Sequence, residues 1–175
     1  GVSERSFLIT TTATGLVTAS IRTATTTFTT PSTSSSALIL TAGLYHLVQT
    51  YDGVTQRLYV NGKELSMVAT TGDIQNTAAS LHVGSRVGSA NSFFGRMSLY
   101  RMWSTAATAQ EVQDLYYLGK TFATPVVEFL FSDGSGASLD NTGSYGVDGT
   151  ISGATWTTEA PFKSRAAASA RSSVT

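Results

Sequence analysis

The stretch Leu44–Leu65, reading LYHLVQTYDGVTQRLYVNGKEL, leaves this chain few architectures to choose from. Tyr45–Tyr51 is rich in aromatic and β-favouring residues, the types that fit a pleated, half-buried surface. Asp52-Gly53 interrupts the run, Gln56–Val60 resumes it, and Asn61-Gly62 closes a second turn. Asn-Gly is the strongest short hairpin signal, because both residues tolerate positive φ. Two turn pairs so close together require the runs around them to be antiparallel. Alternation puts Arg57 and Tyr59 on one face of the middle run, and Leu58 and Val60 on the other, which is the expected core face.

Residue order in this stretch resembles the central hairpin of laminin-G-like (concanavalin-A-like) domains. That family writes an aromatic, His, an apolar pair, TYDG, and then LYVNG, as in YHLVQTYDG and RLYVNG here. Leu44 stands where the family usually has Trp, at a position that is normally core. A second match follows downstream, where Phe93 or Phe94, Gly95, Met97, Arg101, Met102 and Trp103 fit a strand of that family. A short helix comes next in the family and in this chain. Thr108 and Glu111 form a capping box, Val112, Leu115 and Tyr116 sit at helical spacing, and Gly119 ends the helix. Spanning Phe7–Phe162, the resemblance implies an all-β, two-sheet antiparallel jelly-roll sandwich with one short helix.

Along the chain, Phe7–Ala13, Leu16–Thr23, Thr26–Thr30, Ala37–Thr41 and Ala79–Val83 read as strands, and Phe94–Trp103 alternates well enough for another. Val126–Phe131 is a strong buried strand. The Asp-Gly-Ser-Gly run that follows it normally stands at the beginning of the family's domain. Residues 126–162 are therefore expected to complete a sandwich of residues 1–162 in permuted order; the alternative is that they begin a second repeat. Residues 163–175 are Ala- and Ser-rich, lack apolar residues to pack, and read as a tail or linker. Gly1 in place of Met suggests processing or a piece of something longer.

Composition removes several function classes. Net charge is zero and only 13% of residues are charged, so there is no electrostatic footprint for nucleic acid or an anionic membrane. No apolar run approaches the ~20 residues of a membrane span. Cys is absent, so no thiol nucleophile or disulfide exists. His46 and His82 have no Gly-x-Ser-x-Gly elbow to serve. Relatives of the fold that hydrolyse polysaccharides use a pair of carboxylates, usually at alternating positions of one strand. No Glu-x-Asp occurs, and Glu128 and Asp133 fall on opposite faces of an extended chain. No catalytic residue is assigned and no enzyme activity is expected.

Binding residues are sought in the polar loops. Tyr51, Tyr59, Tyr100, Trp103, Tyr145 and Trp156 are the aromatic pool for carbohydrate contact. Trp103 and Trp156 match family core positions, whereas Tyr145, inside Gly-Ser-Tyr-Gly, is the preferred exposed ring. Arg86 and Asn91 are the expected hydrogen-bonding partners, unless 86–92 is an ordinary polar loop. The resemblance also implies a candidate Ca2+ site, held by oxygen ligands from Asp133, Asp140 and Asp148. Ser98 replaces the family's strand Asp in that set, and the same aspartates are ordinary turn formers. The function implied is a non-catalytic recognition or adhesion module of a larger extracellular or surface-displayed protein, with glycan or protein as ligand. The alternative is a self-assembling structural subunit of a surface assembly such as a virion or appendage, and a glycoside hydrolase comes last.

Overall fold

A computed structural model of the chain describes residues 6–12, 15–24, 43–78, 80–85 and 92–157. Strands β1 (Phe7–Thr11) and β2 (Val17–Ile21) form a hairpin in register from Phe7↔Ile21 to Thr11↔Val17. Strands β3 (Leu47–Tyr51), β4 (Thr55–Val60) and β5 (Lys63–Ala69) form the antiparallel meander that the two turn pairs require. At the first turn, Asp52 Oδ1 accepts from the backbone N–H groups of Val54 (3.0 Å) and Thr55 (2.6 Å). Its other oxygen accepts from Arg57 at 2.8 Å, and these bonds, Arg57's first, hold the carboxyl down at about 2. At the second turn, Asn61 and Gly62 both take positive φ, +51° and +77°.

One face of the meander packs against the first hairpin. Val17 and Ala19 of β2 bury Leu58 of β4, with Leu47 packed alongside. Gln49 Nε2 reaches across to donate to the Ser20 carbonyl at 3.2 Å. Helix α1 (Ala109–Leu118) lies beside β5 and carries its capping box intact. Glu111 N–H donates to Thr108 Oγ1 at 3.3 Å, and Thr108 N–H donates back to Glu111 Oε2 at 2.7 Å. Gly119 closes the helix in the left-handed region at φ +65°.

A second core lies downstream. Strands β6 (Tyr100–Met102) and β7 (Val127–Phe129) pair antiparallel, and β8 (Ser138–Leu139) pairs with β9 (Gly149–Thr150). Val127, Phe129 and Leu139 are its buried centre, with Tyr100, Ile151 and Trp156 packed on it.

The chain is thus mostly β, antiparallel, with a single helix among the described residues. Its ladders are smaller than expected: among the described residues, four separate sheets stand where two continuous ones were anticipated. Expected strands 26–30 and 37–41 lie outside the described residues. Among the described residues, 80–83 form no ladder, and of Phe94–Trp103 only Tyr100–Met102 pairs, with β7. Phe94 is 96% exposed. Leu44, expected in the core, is more than half exposed. Tyr59, placed opposite the core face, is buried like its neighbours Leu58 and Val60. A register shift between Leu58 and Tyr59 marks a bulge, which re-aims side chains, and the turn into β5 and helix α1 close over the Tyr59 face.

Gln56 is wholly buried on the core face of β4, and both ends of its amide lack a hydrogen-bond partner. An unpaired buried amide costs about 1–3 kcal/mol. Gln56→Met, close in volume, is expected to raise unfolding free energy by about 1 kcal/mol or more in denaturant titration. Equal or lower stability would show that the amide is satisfied in solution.

Candidate functional site

Residues 140–148, between β8 and β9, carry the most exposed tyrosine of the expected pool. Asn141 is the hub of this loop. Its Oδ1 accepts from the backbone N–H groups of Glu128 and Gly143, both at 2.9 Å, and its Nδ2 donates to the Val147 carbonyl at 3.1 Å. Its own N–H donates to Asp148 Oδ1 at 3.0 Å. Two further backbone bonds, Ser144 N–H to the Pro125 carbonyl and Tyr145 N–H to the Val126 carbonyl, each 2.9 Å, pin the loop along the chain leading into β7. Gly143 makes this approach possible: a Cβ there would stand 2.7 Å from the Val126 carbonyl oxygen. The backbone is tied down while the Tyr145 side chain remains 70% exposed.

Beneath the loop, Glu128 is fully engaged. Thr142 Oγ1 donates to its Oε2 at 2.7 Å and Arg101 Nε donates to its Oε1 at 2.6 Å. Thr142's hydroxyl, and then the Arg101 guanidinium, hold the carboxyl below its ordinary range. Glu128 is therefore a fixed anion that links β6, β7 and the loop, and is poorly suited to donate a proton.

The remaining expected site residues are dispersed. Arg86 and Asn91 lie outside the described residues. Asp133, Asp140 and Asp148 are all exposed, and among the described residues no three acidic or histidine side chains gather around one point. Asp148 spends one oxygen on Asn141. As placed, the three aspartates do not offer the convergent six to eight oxygens that calcium takes. Within the aromatic pool, Tyr59 is buried, and Tyr100 packs on the second core, where burial pushes its hydroxyl up to about 12. Tyr51 donates its hydroxyl to the Gly72 carbonyl. Trp103 and Trp156 are half-buried and donate their indole N–H groups to the carbonyls of Ala123 (3.0 Å) and Gly136 (2.9 Å). Tyr145 is the most exposed ring of that pool.

A second feature escaped the sequence reading. Tyr59, Gly62, Lys63 and Glu64 face Ala109, Gln113 and Tyr117 of α1 across a cleft of about 280 Å3. The three helix residues are spaced i, i+4, i+8, one stripe of the helix, and that spacing was the available signal. Nearby, His46 stacks on Tyr116 with ring centroids 5.8 Å apart. His46 Nδ1 is buried without a partner, and burial, followed by the charge of Arg101, lowers the imidazole from its ordinary 6.5.

A family model described as "Concanavalin A-like lectin/glucanases superfamily" matches residues 2–113. The chain belongs to that superfamily. The superfamily match covers the meander and the first half of α1, and ends before the Tyr145 loop. Comparison with curated proteins gave no match. A similar solved structure is an S-layer domain-containing protein (residues 221–444) from Clostridium thermocellum, 21% identical with a TM-score of 0.38. The alignment covers 65% of this chain and 58% of that one, so the chain spans less than two thirds of its length.

Two outcomes follow from the geometry. Gly143→Ala is expected to destabilise the fold by about 1–3 kcal/mol, because backbone rather than a flexible side chain meets the new methyl. Chemical denaturation measures this. His46 has a folded pKa below its unfolded value, so neutral His46 favours the fold. Its contribution is complete above about pH 6.5 and is lost as pH falls through the folded pKa. Between pH 7.5 and 5, wild type should lose more stability than His46→Phe, which keeps the stack on Tyr116 but cannot be protonated.

Proposed function

We propose that this domain is a non-catalytic recognition module of a larger extracellular or surface-displayed protein, and that it binds glycan or protein through the 140–148 loop. One observation carries the proposal: a backbone pinned by Asn141, Gly143 and Asp148 presents Tyr145 to solvent at 70% exposure. A fixed aromatic ring offers contact area at little cost in conformational entropy, which suits recognition. Residues 126–162 are taken to complete a jelly-roll sandwich, a reading supported by the pairing of β7 with β6 and its part in the second core. Neither a catalytic residue nor calcium has a part in this mechanism.

A structural subunit of a surface assembly is the second reading. Exposed Phe94, Met97 and Leu99, on a segment without a strand partner among the described residues, favour it. Such a subunit would self-associate in light scattering, and added sugar would leave that unchanged.

Glycan-array and cell-wall binding by the full chain tests the first reading. Tyr145→Ala is expected to reduce binding about tenfold or more while leaving the melting temperature within a degree or two, because the ring supports nothing else. Binding that survives this change would place recognition elsewhere, and hydrolysis of any array member would make the protein an enzyme.

A further inference from the structure

We propose that the cleft between the β4–β5 turn and α1 binds a carboxylate-bearing pyranose, the uronic acid unit of a polysaccharide. At about 280 Å3 it falls just below the roughly 300–1,000 Å3 of ordinary small-molecule sites, a size for one sugar ring rather than a chain. Its lining combines three groups that such a ring uses, and none of the three is spent on the fold. Lys63 is exposed, and among the described residues its ammonium has no carboxylate or hydrogen-bond partner. Glu64 does not neutralise it, because that carboxylate faces Arg57 at 3.7 Å. An unpaired ammonium selects an anion, and a carboxylate matches its charge without the greater charge of a phosphate.

Gln113 is likewise exposed, and its amide has no hydrogen-bond partner among the described residues. It supplies both donors and an acceptor, the combination that ring hydroxyls require. Tyr117, one helical turn on, is 53% exposed, and Tyr116 meets it edge-on at 4.8 Å, fixing the ring's orientation. Its free face offers a platform for the C–H face of a sugar. Tyr59 closes the floor, and Ala109, with only a methyl group, leaves the space open. Cation, amide and ring line one cleft from two elements, the β4–β5 turn and α1, and Gly62 lets the helix approach that turn.

This site shares no residue with the Tyr145 loop, and the two proposals fail independently. Calorimetric titration of the full chain with sodium glucuronate, glucose and acetate tests it. Glucuronate is expected to bind at least about tenfold tighter than either glucose or acetate, and less tightly at 0.5 M salt than at about 0.05 M. Lys63→Met and Tyr117→Ala should each weaken glucuronate about tenfold. Lys63→Arg should retain most binding and Tyr145→Ala all of it. The three positions are exposed, so unchanged melting temperatures will confirm folded variants. Equal binding of glucose means no role for the ammonium, equal binding of acetate means ion pairing alone, and no detectable glucuronate binding means no site; each overturns the proposal.

Discussion

The Asn61-Gly62 turn is the constraint on which the upstream half of the molecule rests. It reverses the chain between β4 and β5, which requires positive φ at both residues. Asn61 also ties the base of the hairpin: its Oδ1 accepts from His46 N–H at 2.9 Å, and its N–H donates to the His46 carbonyl at 2.8 Å. Gly62 provides the seat for the helix, since a Cβ there would stand 3.1 Å from the Tyr116 ring. A single dipeptide therefore fixes strand register, orients His46 and admits α1 close to the sheet. Closing the helix over this turn is what buries Tyr59 and leaves Ala109, Gln113 and Tyr117 facing Lys63.

The downstream half is organised by polar contacts around a short ladder. β6 and β7 pair over only three residues, too little to fix a loop by strand pairing alone. Arg101 and Glu128 reinforce that ladder from facing positions on the two strands. Glu128 then extends the linkage to Thr142, and Asn141 doubles it through the backbone. A partly buried ion pair is a modest source of stability, but here its geometry sets where the loop lies.

What could be read from the residues depended on how local the cause was. The capping box of Thr108 and Glu111, the Gly119 stop and both hairpin turns are decided within a few residues, and all four stand in the structure as the sequence implied. Phe94–Leu99 takes no strand partner among the described residues, since alternation reports only a capacity to form a strand, whereas pairing needs a partner at the same height. Tyr59 failed because a helix close by in space, though fifty residues on in sequence, converts an outward face into a second interior. Tyr145's exposure was legible from its Gly-rich flanks. Asn141's role was not: an asparagine that organises a loop and one that merely decorates it look alike until the backbone around them is placed. Lys63, Gln113 and Tyr117 went unnoticed for a related reason, since an unpaired side chain is defined by its neighbours' commitments.

Fixing the 140–148 loop through main-chain groups and Asn141 divides the labour within it. Asn141, Gly143 and Asp148 hold the shape, and the side chain at 145 makes no hydrogen bond or ring contact among the described residues. Such a loop can exchange its tip residue at almost no thermodynamic penalty, so its surface chemistry is free to change while its scaffold stays put. Selection for a new ligand would then act on one codon first.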